Sequence, residues 1–122
     1  AYVASYSDNA LVIFDVSDPK NPKRAGVIKG KGGPYYLWQA NSVVVDGTLA
    51  YVNAHKDDAF VVINVSDPTN PQHVLSLVGE REPNWLNGST STSIDGDFAY
   101  IAAHDDHVFT ILNISKLRKI GI

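Results

Sequence analysis

The apolar residues of this chain occur in short runs, each of which is ended by a polar turn. Runs such as residues 10–14 and 59–63 are five residues long. Runs this short, rich in Val, Ile and Phe and bounded by Gly, Pro, Asn and Asp, predict β-strands rather than helices. Asp46-Gly47 and its copy at residues 95–96 each stand between two such runs, where an Asp-Gly pair indicates a two-residue hairpin turn.

The same pattern returns with a period of 49 residues. Ala1-Tyr2-Val3 recurs as Ala50-Tyr51-Val52 and as Ala99-Tyr100-Ile101. Residues 1–30 align with residues 50–79 without a gap, and 13 of the 30 positions are identical. Agreement over this length indicates internal duplication, and a period of this size is typical of repeat architectures.

Each copy of the repeat predicts up to four short antiparallel strands. The predicted strands are residues 1–5, 11–16, 25–29, 41–46, 49–54, 60–65, 74–78, 91–95, 98–103 and 109–114. Four such strands in a unit of about 40–50 residues are typical of a β-propeller blade, which packs between two neighbouring blades. A sandwich of two sheets is the competing all-β architecture, but it does not predict a repeat of this length.

These strands predict an all-β chain that forms a single partial β-propeller over residues 1–122, with about two and a half four-stranded blades. Partial blade 1 covers residues 1–30 and lacks its inner strand, blade 2 covers 38–79 and blade 3 covers 87–122. A closed propeller needs about 4–8 blades. We therefore expect further propeller blades as partners, supplied by a longer parent chain or by a homo-oligomer that completes the ring.

The third strand of the first copy carries a recognisable motif. Leu11-Val12-Ile13-Phe14-Asp15 is followed by Ser17-Asp18-Pro19, and this segment resembles the LVIVD repeat. The later copies depart from the motif, since Asn64 and Asn113 replace its aspartate and Lys116-Leu117 replaces the Asp-Pro pair. The resemblance implies a β-propeller, often in extracellular or cell-surface proteins of bacteria and archaea, and no shared catalytic motif.

Composition and charge exclude several classes of protein. The 122 residues include no cysteine, so disulfides, thiolate metal sites and cysteine nucleophiles are impossible. The formal net charge is −3 and there is no basic cluster, which argues against nucleic acid as a partner. No apolar run approaches the roughly 20 residues that a membrane-spanning helix needs, so we expect no membrane span.

Candidate binding residues collect in the predicted loops. In a propeller, the loops between blades and the turns between the second and third strands share one face, and such loops commonly carry function. The candidate ligand-binding residues are Tyr35, Trp38, His55, Asp57, Asn87, His104 and Asp106. Exposed aromatic rings beside Asn and Asp are suited to a sugar ring and its hydroxyls. Tyr36 and Trp85 occupy equivalent positions, as do Leu37 and Leu86, which favours a packing role for these four residues.

Histidines and aspartates in two of the turns make a metal site a hypothesis to consider. His104-Asp105-Asp106-His107 is a dense set of zinc-ligand types, and residues 55–58 partly repeat it. The alternative is a polar turn in which Asp8, Asp57 and Asp106 bond their own backbone. We expect the histidines of the two turns not to share one ion, so no metal site and no cofactor is assigned.

The sequence therefore predicts a non-catalytic propeller module that presents a loop-built face to a protein or a carbohydrate, in an extracellular or cell-surface location. The alternative is a propeller enzyme, hydrolase-like or metal-dependent, that uses the His/Asp-rich loops. No Gly-x-Ser-x-Gly motif and no assignable Ser–His–Asp set is present, so no catalytic residue is assigned. Geometry distinguishes the two functions, because an enzyme needs acid and base groups that converge in one concave pocket.

Overall fold

The computed structural model describes residues 1–79 and 84–119 of the chain. The elements over these residues are β1 (Tyr2–Ser5), β2 (Ala10–Asp15), β3 (Lys23–Lys29), β4 (Ala40–Asp46), β5 (Leu49–Ala54), β6 (Ala59–Asn64), β7 (Gln72–Val78), β8 (Ser89–Asp95), β9 (Phe98–Ala103), β10 (Val108–Asn113) and α1 (Ser115–Lys119). The strands form a first sheet β1-β2-β3, a second sheet β4-β5-β6-β7 and a third sheet β8-β9-β10. All strand pairs are antiparallel, which confirms the prediction of an all-β chain.

The sequence repeat is also a repeat of backbone geometry. The pairing of β2 with β3 shifts register between Ile13 and Phe14, and the pairing of β6 with β7 shifts at the equivalent step of the second sheet. The hairpins β4-β5 and β8-β9 turn at Gly47 and Gly96, whose φ angles are 63° and 58°. These positive values confirm tight hairpin turns at the two glycines. Because Asp46 pairs with Leu49 and Asp95 pairs with Phe98, the loops are Gly47-Thr48 and Gly96-Asp97, and a positive φ at the first loop residue alone is typical of a type II′ turn.

The first and third sheets differ from the second in the elements at their outer ends. Since β1 is equivalent to β5 and β9, the first sheet has no counterpart of β4 within the described residues. In the third sheet, α1 takes the place of the Ser-Asp-Pro turn that follows β2 and β6. The first two copies have a proline, Pro19 or Pro68, at the position of Leu117, and a proline disfavours a helix. The third copy has Lys116, Leu117 and Arg118 here, which are good helix formers. Residues 120–122, which the sequence assigns to blade 3, lie outside the described residues.

The second sheet is covered on both of its faces. Successive side chains of a strand point to opposite faces. Val52 and Val61 therefore pack with residues of the first sheet, while Tyr51 and Phe60 pack with residues of the third. All four side chains are fully buried. Because β4 contacts both β1 and β8, the sheets lie face to face and are closest at these strands.

Two polar residues, Asn53 and Ser89, are fully buried where the second sheet meets the third. Asn53 Oδ1 accepts hydrogen bonds from Ser42 Oγ and Thr92 Oγ1, both at 2.7 Å, and Asn53 Nδ2 donates to Ser89 Oγ. These contacts satisfy the amide, as a buried polar group requires, and they tie β4, β5 and β8 together. Among the described residues, no helix has the length and apolar character needed to cross a membrane.

Candidate functional site

Two inter-sheet loops and three turns meet at one end of the sheets. Residues 30–39 lead from β3 to β4, and residues 79–88 lead from β7 to β8. The turns reach these loops through their backbones, since Lys56 N–H donates to Trp38 O at 3.2 Å and Asp105 N–H donates to Asn87 O at 3.1 Å. We call this surface the loop face. Its described residues are 6–9, 30–39, 55–58, 79, 84–88 and 104–107.

Asp57 and Asp106 hold the loops rather than their own turns. Asp57 Oδ2 accepts hydrogen bonds from the N–H groups of Gly32 and Trp38, both at 2.9 Å. Asp106 Oδ2 accepts from Asn87 N–H at 3.1 Å, which is the equivalent contact one repeat later. The alternative considered from the sequence was that these aspartates bond the backbone of their own turns. In the structure their Oδ2 atoms instead accept hydrogen bonds from the loop that precedes their own sheet.

A second polar residue holds each loop from the opposite side, and sequence reasoning did not identify it. Asn9 Oδ1 accepts from Gln39 N–H at 2.9 Å, and Asp58 Oδ1 accepts from Gly88 N–H at 3.0 Å. Asn9, Asp58 and the equivalent His107 all have φ angles between 51° and 57°. Asn, Asp and His are the non-glycine residues that adopt this conformation most readily. The occurrence of Asn, Asp and His at one repeat position was the sequence pattern that could have predicted a positive φ there.

Tyr35 lies between the first and second sheets. Its ring centroid is 5.5 Å from that of His73 on β7, and its carbonyl accepts a hydrogen bond from Ser76 Oγ at 3.3 Å. The ring packs against the buried cluster between the two sheets. Burial of this contact lowers the pKa of His73 below its usual value. The half-buried position of Tyr35 gives it a packing role beside Leu37, which is fully buried.

Trp38 faces outward from the same loop. Its side chain is 37% exposed, although its N–H and C=O groups are both hydrogen-bonded to the 55–58 turn. Lys31 Nζ lies 5.2 Å from the centroid of the Trp38 ring, which is a cation–π distance. Trp38 is therefore an aromatic ring at the surface whose backbone is fixed by the neighbouring sheet.

His55 and His104 are brought together by Asp105, which is outside the candidate ligand-binding residues but belongs to the 104–107 turn considered for a metal. His104 Nδ1 is 2.9 Å from Asp105 Oδ1, and His55 Nε2 is 3.8 Å from Asp105 Oδ2. The hydrogen bond from His104, followed by the charge of His55, lowers the pKa of Asp105. Among the described residues, His55 Nδ1 is buried without a hydrogen-bond partner. This contact joins the turn of the second sheet to the turn of the third.

The described residues contain no group of three or more His, Asp or Glu side chains arranged to hold a metal ion. Whether the histidines of the two turns hold an ion stays a prediction. Chemically, the loop face presents two kinds of group. The carboxylates of Asp57 and Asp106 are directed to backbone N–H groups, whereas Trp38 and the exposed His104 are directed to solvent.

Comparison with known families follows the boundaries of the sheets. A family model described as LVIVD repeat matches residues 1–28, 39–78 and 88–118. Each matched segment covers the strands of one sheet except for Lys29 at the end of β3, and the gaps between the segments otherwise fall in the two inter-sheet loops. No curated protein matches the chain.

Proposed function

Because this chain belongs to the LVIVD-repeat family, whose repeats are of the propeller type, we propose that its three sheets are consecutive blades of a β-propeller that binds a protein or a carbohydrate on the loop face. The face-to-face packing of the sheets and the closeness of β1, β4 and β8 support this arrangement. The proposal includes an extracellular or cell-surface location and further blades that complete the ring, both of which rest on the resemblance of the repeat.

The observation that best supports a binding function is the exposed ring of Trp38 on a backbone that hydrogen bonds hold in place. A large aromatic ring that stays exposed while its backbone is held in place offers a preformed surface for stacking, with little entropy to lose on binding. Lys31 beside the ring adds a positive charge. The pair favours a ligand that combines a flat apolar surface with a negative charge, such as an acidic sugar or a peptide with aromatic and acidic residues.

The absence of a catalytic motif supports a binding module over the alternative enzyme. Asp57 and Asp106, the carboxylates among the candidate ligand-binding residues, accept hydrogen bonds from loop N–H groups through their Oδ2 atoms. The remaining cluster of His55, His104 and Asp105 lies at the surface, where Asp105 is exposed. An enzyme site would require acid and base groups that converge in a partly dry pocket.

Binding to arrays of acidic and neutral glycans and of acidic peptides tests this proposal. We expect the chain to retain a ligand of this class, and Trp38→Ala to weaken its binding by about fivefold or more, because a stacking contact is worth about 1–3 kcal/mol. Tyr2→Ala is the matched control, since Tyr2 is also 37% exposed but lies at the opposite end of β1 from the loop face. Retention of no ligand, or equal affinity of Trp38→Ala and the unchanged chain, would contradict the proposal.

A further inference from the structure

The sequence contains a single Asn-Gly step, Asn87-Gly88, and this step lies on the loop face. Its repeat equivalents in the first inter-sheet loop are Trp38 and Gln39, so the step belongs to the second loop alone. Glycine is required here, because a Cβ on Gly88 would lie 2.7 Å from Cγ of Asp105 and the φ angle is 68°. The packing of the 104–107 turn therefore imposes an Asn-Gly sequence on the loop.

An asparagine followed by glycine is open to attack by its own main chain, because glycine has no side chain to hinder the approach. In this attack the Gly88 nitrogen forms a bond to Cγ of Asn87. The side-chain nitrogen of Asn87 leaves as ammonia, which carries away the proton of the Gly88 nitrogen, and a cyclic succinimide remains. Water then opens the succinimide at either of its carbonyl carbons, which leaves aspartate or isoaspartate in place of Asn87.

In the folded chain the attacking nitrogen is held by the neighbouring sheet. Gly88 is buried, and its N–H donates to Asp58 Oδ1 at 3.0 Å. The preceding residue is also fixed, because Asn87 N–H donates to Asp106 Oδ2 and Asn87 C=O accepts from Asp105 N–H, both at 3.1 Å. A buried N–H that is bonded to a carboxylate oxygen is costly to release. The Gly88 nitrogen therefore cannot turn towards Cγ of Asn87 until its bond to Asp58 breaks.

We propose that Asn87 is a site of deamidation that the hydrogen bond from Gly88 to Asp58 keeps closed in the folded protein. The reactants are the amide of Asn87, the main chain at Gly88 and water, so the reaction needs no enzyme. Asp58 belongs to the turn of the second sheet, whereas Gly88 leads into the third sheet. Deamidation therefore follows the opening of the seam between these sheets at the loop face, and closing the seam does not reverse it.

Either product alters the loop face. Aspartate in place of Asn87 adds a negative charge beside the carboxylates of Asp58 and Asp106. Isoaspartate also lengthens the main chain by a carbon atom, and the carbonyl that accepts the Asp105 N–H becomes a carboxylate outside the main chain. We expect the isoaspartyl product to lose the contact between the second loop and the 104–107 turn. None of these steps depends on a ligand at Trp38, so the two proposals are tested independently.

Ageing of the purified chain at mildly alkaline pH, followed by peptide mapping with mass spectrometry, tests the inference. The change in mass at Asn87 gives the rate of deamidation. We expect this rate to be much lower in the folded chain than in the same chain unfolded in urea. Asp58→Gly removes the acceptor and tolerates the φ angle of 51°, so it should raise the rate in the folded chain by about tenfold or more.

Two further variants separate the local contact from the stability of the whole chain. Asn9→Gly makes the equivalent change at the first loop, where Asn9 Oδ1 accepts from Gln39 N–H, so it should leave the rate at Asn87 unchanged. Asp58→Asn keeps a side-chain oxygen of the kind that Asn9 uses, so it should keep the rate low. Circular dichroism confirms that each variant is folded, and the comparison with urea needs no variant.

Equal rates at Asn87 in the folded and the unfolded chain would overturn the inference. So would Asp58→Gly with the rate of the unchanged chain, or either Asn9→Gly or Asp58→Asn with the rate of Asp58→Gly. In the isoaspartyl product, separated by chromatography, the Asp105 amide should exchange with deuterium faster than in the unchanged chain. Equal exchange would contradict the loss of the turn contact.

Discussion

Positive φ angles recur at the same positions of the repeat even where the residues differ. Tyr36 and Trp85 have φ angles of 56° and 54°, and Gln39 and Gly88 have φ angles of 56° and 68°. A bulky residue in this conformation is strained by about 1–2 kcal/mol. The neighbouring Leu37 and Leu86 are fully buried, so the strain is offset by side-chain burial on each loop. This finding supports the packing role that the sequence predicts for these positions.

Gly96 provides a test at the scale of one residue. Its φ angle is 58°, and no heavy atom lies within 4 Å of the place where a Cβ would be. Gly96→Val should therefore lower the free energy of unfolding by about 1–2 kcal/mol through backbone strain alone. Urea unfolding measures the change, with Gly96→Asn as a control that tolerates this conformation better. Equal stability of the two variants would contradict the assigned turn.

At the scale of elements, the strand ends keep their geometry where the sequence departs from the LVIVD motif. Asp15, Asn64 and Asn113 each accept a hydrogen bond through Oδ1 from the backbone N–H two residues on, at 2.8–2.9 Å. An amide oxygen replaces a carboxylate oxygen in this turn without loss of the bond. The two inter-sheet loops are also held by side-chain acceptors. A turn of the sheet before each loop and a turn of the sheet after it both accept hydrogen bonds from the N–H groups of the loop.

Asp57→Ala tests how firmly these acceptors hold a loop. The substitution leaves the N–H groups of Gly32 and Trp38 without their acceptor, which should lower the free energy of unfolding by about 1–3 kcal/mol. Asp8→Ala is the control, because Asp8 is the repeat equivalent and, within the described part of the chain, its side chain accepts only a 3.3 Å hydrogen bond from Ser5 Oγ. Thermal unfolding should show a clearly larger loss for Asp57→Ala. A loss of the same size in both variants would argue against the loop contact.

At the scale of the whole molecule, the environment of a residue depends on how many sheets flank its own. Phe60 and Phe109 are the same residue at the same repeat position, yet Phe60 is fully buried and Phe109 is exposed. Their ring partners are also equivalent, since Phe60 stacks on Tyr51 and Phe109 stacks on Tyr100, both with an interplanar angle of 21°. The difference in burial therefore comes from the third sheet, which covers Phe60.

Truncation of these two phenylalanines tests the seam between the second and third sheets. Phe60→Ala should lower the free energy of unfolding by about 3–5 kcal/mol, because it leaves a cavity in a buried cluster. Phe109→Ala should lower the free energy of unfolding by less than about 1 kcal/mol, because the Phe109 side chain is 64% exposed. Chemical denaturation of both variants measures the difference. Similar losses would show that the seam contributes little to stability.

The sequence by itself determined the strands, the hairpins and the packing role of Leu37 and Leu86. These features are local or are repeated every 49 residues, so that alternation, Asp-Gly pairs and repeat equivalence suffice to predict them. The turn at Gly47 and the all-β architecture are confirmed for this reason. α1 was not predicted, although the departure from the motif at Lys116 and Leu117 indicated that the third copy differs there.

Only the tertiary structure decided which loop residues face the solvent. Asp57 bonds to residues 19 and 25 positions away, and Asp58 bonds to one 30 positions away, so these partners depend on how the sheets pack. The sequence placed Tyr35 and Trp38 in the same class of candidate, yet Tyr35 packs on His73 and Trp38 is exposed. The physical reason is that exposure is set by the neighbouring sheet, whose position no local pattern in either loop encodes.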